Sequence, residues 1–214
     1  MTLPLPLRNR LAGLILDSLH DAEARVALES MAALADDPGP PGAPMPERLP
    51  RDLLEECGGV LRIKSEWAEH AAELGDRSRR AWRVLGARPL DSAHAPLAAT
   101  LRAAAVLFDA GLYFEVHELL EPHWIRAEGG AREALQGLIQ IAVGFQHLAN
   151  GNVAGARALV RDGSAKASGR RLEGLDLDAF ARDTRACLEQ LVSESAPAAG
   201  VFAPERVPRF PVAA

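Results

Sequence analysis

Strand-forming residues are scarce in this 214-residue chain, where 12 Val, 5 Ile and 3 Thr stand against 31 Leu and 40 Ala. Leu and Ala favour helices, and β-branched side chains favour strands. The balance argues against a β-sandwich, a barrel or a doubly wound α/β sheet. Cysteine is nearly absent. Cys57 and Cys187 lie far apart with no CxxC pair, which speaks against a zinc ribbon and against a disulfide scaffold. Positive charge is in deficit: 24 Lys and Arg against 29 Asp and Glu leave a net charge of −5. A general nucleic-acid binder shows the opposite balance, so none is expected, although a local basic face remains compatible with it. Long apolar runs are missing too. Leu11 to Leu16 is stopped by Asp17, and no small-residue cleavage site follows, so no secretory signal is read. Ala134 to Ala156 carries no formal charge but holds Gln136, Gln140, Gln146, His147, Asn150 and Asn152. Six polar side chains there would be costly in lipid. The stretch reads as a buried helix with its following turn, and the expectation is a cytoplasmic protein without a membrane partner.

What is present is an apolar content of 48% on a chain long enough for one domain, or one with a small helical annex. Residues 1–35 read as an N-terminal helix on the spacing of Leu7, Leu11, Leu14, Ala22, Val26 and Leu34. Residues 36–50 hold six prolines and two glycines and read as an exposed linker. Residues 51–91 read as a helical extension. In it Leu53 and Leu54 mark a short helix closed by Gly58-Gly59, and Val60, Ile63, Trp67, Ala71, Leu74, Ala81 and Leu85 stripe a second. Residues 92–194 read as a core of helical hairpins. Ser92 is the N-cap expected for a helix to about Ala110. Leu112 to about Glu128 is closed by Gly129-Gly130, and Ala131 to Ala149 follows. Gly151 suits a left-handed C-cap and Asn152 the next N-cap, for a helix from Val153 to about Ala167. Asp176 or Asp178 caps a last helix. Residues 195–214 read as an extended tail anchored by Phe202 and Phe210. Gly111, Val116 and Leu119 echo Gly151, Ala156 and Leu159 at an offset of 40 residues, as stacked helical hairpins would. The fold class is therefore all-α: a small bundle of packed antiparallel helical hairpins with an N-terminal helical extension packed on it.

Chemistry-bearing side chains concentrate between Tyr113 and Trp124. On a helix, Glu118 and Glu121 share a stripe, and His117 lies beside Glu121 at i, i+4. The next helix carries Gln136, Gln140 and His147 on one face. Helices joined by a short turn pack antiparallel, so the two polar stripes can meet. Three readings follow. One is a buried hydrogen-bond network in which Gln140 bonds Glu118 or Glu121. Another is a metal site drawn from His117, Glu118, Glu121 and His147, since imidazole and carboxylate suit Zn, Fe or Mn. The third is a small-ligand pocket with a Glu as base. The metal reading meets two departures: His117-Glu118-Leu119-Leu120-Glu121 ends in Glu where HExxH ends in His, and neither Glu115 nor Glu118 has the i+3 His of a di-iron bundle. The basic run Arg77, Arg79, Arg80, Arg83 and Arg88 reads as a solvated face at a helix end.

The run Leu107-Phe108-Asp109-Ala110-Gly111-Leu112-Tyr113-Phe114-Glu115-Val116-His117-Glu118 resembles the domain of unknown function 309 family. So do Glu121 and Trp124, Leu135-Gln136-Gly137-Leu138-Ile139-Gln140, Gly151-Asn152 and Gly155-Ala156. The resemblance spans about residues 105–168. It implies a small all-helical fold and no particular reaction. Its defining positions are those of the polar stripe: Glu115, His117, Glu118, Glu121, Gln136 and Gln140. The functional expectation is a non-catalytic binding or interaction module with a polar stripe between two core helices and no cofactor. A metal-assisted hydrolase using the same Glu/His cluster is the alternative. The expected partner, if any, is a second copy of the chain met through the N-terminal helix.

Overall fold

The computed structural model describes residues 3–34, 51–58, 60–194 and 206–212. Among them the chain forms eight α-helices and two small antiparallel strand pairs, an all-α architecture as the composition demands. It divides into two compact units, Met1–His94 and Ala95–Ala214. The expectations for the linker 36–50 and for Phe202 fall outside the described residues.

In the first unit, α1 (Leu5–Asp17) and α2 (Ala22–Ala33) replace the single helix expected over 1–35. Asp21 is the reason. Its carboxylate accepts from the N–H groups of Glu23 and Ala24, so it caps a new helix rather than continuing the old one. The apolar stripe Leu7, Leu11 and Ile15 is buried, and α1 packs against α2 and α3 (Ala71–Leu85). The helix expected at Leu53–Leu54 is instead a hairpin. Strand β1 (Leu54–Cys57) pairs with β2 (Val60–Ile63), Leu54 opposite Ile63 and Cys57 opposite Val60. Two strands separated by Gly-Gly are a hairpin signal, and Gly58 has a φ of +63°. The second expected helix is correspondingly shorter at its start. A 3-10 turn, Ser65–His70, leads into α3.

Arg25 is the polar centre of this unit. Its Nε donates to Ser18 O at 2.7 Å, and its Nη1 to Leu85 O at 2.7 Å and Arg88 O at 2.6 Å. One buried guanidinium thus serves the carbonyls that end α1 and α3, which no helical N–H can reach. The basic run of α3 is not all solvated, contrary to expectation. Arg77 is buried, and Arg88 pairs with Asp91 at 2.5 Å.

The second unit strings its helices as consecutive hairpins: α4 (Leu97–Asp109), α5 (Tyr113–Arg126), α6 (Gly129–Ala149), α7 (Val153–Ala167) and α8 (Asp178–Glu194). Ser92 does not cap α4; Pro96 holds the N-cap position. Gly129-Gly130 forms the first turn of α6 rather than the end of α5, after a connection of only Ala127 and Glu128. The internal echo has a backbone cause. Gly111 and Gly151 have φ of +73° and +78°. After α4, Leu112 N–H donates to Leu107 O and Gly111 N–H to Phe108 O; after α6, Asn152 N–H donates to His147 O and Gly151 N–H to Leu148 O. Each is a Schellman stop, in which a left-handed glycine lets two N–H groups turn back onto the last carbonyls. Asn152 then caps α7 by accepting from Gly155 N–H.

Helices α6 and α7 cross backbone to backbone. A Cβ on Gly137 would lie 2.8 Å from Gly163 O, and one on Gly144 2.6 Å from Val160 Cγ2. These pairings run in opposite directions along the two helices, so the pair is antiparallel. Around them sits an aromatic core. The ring of Phe108 lies 5.1 Å from Tyr113, 6.0 Å from Phe145, 5.5 Å from Phe180 and 5.4 Å from Phe210. Phe210 anchors the tail as expected, held also by Asp109, which accepts from Phe210 N–H and from Arg209. A second hairpin, β3 (Arg171–Leu172) with β4 (Leu175–Asp176), lies between α7 and α8.

Candidate functional site

Helix α5 presents the dense cluster. Its first turn buries Tyr113, Phe114 and Glu115, and Glu115 is fully enclosed. One turn on, the helix face opens. His117 Nδ1 lies 3.1 Å from Glu118 Oε1, and its Nε2 lies 4.0 Å from Glu121 Oε2. The side chains are 28%, 37% and 42% exposed respectively. One ligand-type atom from each of the three falls within 4.8 Å of the others. Pro122 sits inside α5 without an N–H, so it cannot bond the carbonyl of Glu118.

The α6 side of the expected stripe does not join them. Gln140 makes no hydrogen bond to Glu118 or Glu121, and its Oε1 is buried without a partner. The expected bond would have run from the Gln140 amide N–H to a carboxylate, whereas the atom left unsatisfied is the amide oxygen, which no carboxylate can serve. His147 is turned toward the end of α6, where its Nδ1 lies 2.7 Å from Asn152 Nδ2. Gln136 is half-buried. Of the candidates for metal, then, His117, Glu118 and Glu121 lie together and His147 lies apart.

Two residues beside the cluster were not legible as part of it. Arg132, on α6, stacks its guanidinium 4.5 Å from the centre of the Trp124 ring. Its Nη1 also reaches the carbonyls of Trp124, Ile125 and Ala127 at the end of α5, of which Trp124 O accepts from Ala127 N–H as well. Trp124 therefore positions a cap, while its Nε1 is buried without a partner. His123 Nε2 lies 3.0 Å from Thr100 Oγ1 on α4. Burial, helped by the Arg126 charge, holds its pKa below the usual imidazole value.

The geometry covers the span from α4 to α7. Residues 101–159 match the family model of DUF309, a domain of unknown function. No curated protein and no solved structure matches the chain. The DUF309 segment starts within α4, contains all of α5 and α6 with the His117–Glu118–Glu121 cluster, both Schellman stops and the Gly137 and Gly144 crossing points, and ends within α7. No helix among the described residues is long and apolar enough to cross a membrane.

Proposed function

We propose that this chain is a helical binding module rather than an enzyme, and that the open face of α5 takes a divalent transition-metal ion on His117, Glu118 and Glu121. The observation that supports the reading is the convergence of one imidazole nitrogen and two carboxylate oxygens within 4.8 Å on a half-exposed helix face. Ligands around a tetrahedral ion with bonds near 2.0–2.1 Å stand about 3.4 Å apart. Small side-chain rotations bring the three atoms to that spacing. A neutral imidazole and two ionised carboxylates would cancel the charge of a divalent ion and leave positions open for water or a partner's donor atom. The hydrolase alternative is weaker on the same geometry. Its acid/base groups would all be spent as ligands, and His147, the remaining candidate, is engaged by Asn152.

The test is a calorimetric titration of chelator-treated full-length protein with Zn²⁺. Saturable binding of one ion per chain is expected, lost in His117→Ala and weakened in Glu121→Gln. Affinity falls as pH is lowered, because the ligating imidazole must lose its proton. Absence of saturable binding, or wild-type binding by both variants, would overturn the proposal. Hydrolytic turnover that requires the ion would replace the module with the enzyme.

A further inference from the structure

The chain carries an excess of acid overall, yet four arginines line one groove between α7 and α8. Arg157 and Arg161 stand at i, i+4 on α7, and Arg182 and Arg185 at i, i+3 on α8. Together with Leu188 and Glu189 they border a groove of about 440 Å³. Three of the four have a carboxylate nearby. Arg157 lies 3.4 Å from Glu189, Arg161 3.1 Å from Asp162, and Arg182 3.4 Å from Asp183. All six of these side chains are about half exposed or more, so the pairs are screened and hold the guanidiniums only weakly. Asp162 and Asp183 are each the sequence neighbour of their arginine and do not line the groove. Counting the lining side chains alone, four positive charges face one negative. Arg185 has no ion pair among the described residues.

We propose that this α7–α8 groove binds a small molecule carrying linked phosphate groups. The chemistry is that of the guanidinium: planar, permanently charged and forked to meet two oxygens of one phosphate at once. Two helices each supply two such forks to one concavity, so the site suits adjacent phosphates rather than a single anion. The volume falls in the range of small-molecule pockets. Ala186, exposed beside the arginines, adds a small apolar patch to the lining, while Leu188 beneath it is buried. The exposed ion pairs cost little to displace. Most of the groove lies beyond the DUF309 segment, in α8 and the second half of α7. It is thus separate from the α5 cluster, and neither proposal depends on the other.

The experiment titrates sodium tripolyphosphate into the full chain in metal-free buffer at low ionic strength, followed by calorimetry. Saturable binding of one molecule per chain is expected, weakening steeply with added salt. Arg161→Gln with Arg185→Gln should weaken it at least about tenfold, as should the independent pair Arg157→Gln with Arg182→Gln. These exposed substitutions are expected to leave the melting temperature unchanged, and His117→Ala to leave tripolyphosphate binding unchanged. No saturable binding at millimolar tripolyphosphate would overturn the proposal, as would wild-type affinity in both folded double variants. A short oligouridylate that binds more tightly than tripolyphosphate, with affinity rising with its length, would also overturn it in favour of a nucleic-acid track.

Discussion

His123 bonds Thr100 across the α4–α5 hairpin with its imidazole partly shielded from water. Burial and Arg126 hold its pKa down in the folded chain. Between the folded value and the ordinary value near 6.5, the unfolded chain binds more protons than the folded one. Stability therefore rises with pH through that window and is lost as pH falls below about 6.5, levelling off below the folded pKa. The His123→Gln variant should melt with a shallower dependence between pH 7 and pH 5 than the wild type. Identical slopes in the two proteins would show that His123 titrates alike in both states. Asp178 acts at lower pH. The Gly169 N–H and the Ser168 hydroxyl hold its carboxyl below the usual range, so its contribution disappears only on further acidification, through that lowered pKa. At Gln140 the orphaned Oε1 reverses the effect expected from a network. Replacing an unsatisfied amide by Leu removes a desolvation cost, so Gln140→Leu should melt at or above the wild-type temperature, with a stability gain of up to about 1 kcal/mol. A clear drop in melting temperature would restore a partner for Gln140 in solution.

At the scale of elements, the α6–α7 crossing shows sequence propensity and packing in opposition. Alanine is the better helix former, by about 1 kcal/mol over glycine. At Gly137, however, its Cβ would meet Gly163 O at 2.8 Å and Ala167 N at 2.9 Å, both backbone atoms of the partner helix. Neither can yield without moving α7, and overpacking of this kind costs about 1–3 kcal/mol. Gly130 differs, because the nearest atom to an added Cβ is the far end of the Arg170 side chain at 3.5 Å. Gly137→Ala should lower the denaturation midpoint, and Gly130→Ala should hold or raise it. A raised midpoint in both would show that helix propensity, not the crossing, sets stability there. The α1–α2 break and the β1–β2 hairpin follow a related rule. An apolar period extends through both places, but a single cap at Asp21 and a Gly-Gly turn between short strands decide where the chain reverses.

At the scale of the whole molecule, the second unit has its own centre. Phe108 gathers rings from α5, α6, α8 and the tail, Asp109 holds the tail, and Arg132 of α6 serves the end of α5. A fragment of residues 95–214 is therefore expected to fold by itself, with a single cooperative melt and dispersed amide resonances. A non-cooperative melt with exposed apolar surface would show that this unit needs the first.

Much of this was legible locally. The all-α class follows from Leu and Ala over β-branched residues, and the DUF309 segment was readable in its residues. So were the two glycine stops, because left-handed backbone at a helix end nearly specifies glycine. Tertiary structure alone decided which polar groups meet. Gln140, His147 and Glu118 fall on helical periodicities that allow them to face one another, yet periodicity fixes a face only to within a turn. It also decided that Arg25 closes α1 and α3, reaching Leu85 60 residues along the chain, that Arg132 caps α5 over Trp124, and that four arginines from two helices share one groove. Such contacts depend on distances between segments remote in the chain, and those distances exist only once the core has packed.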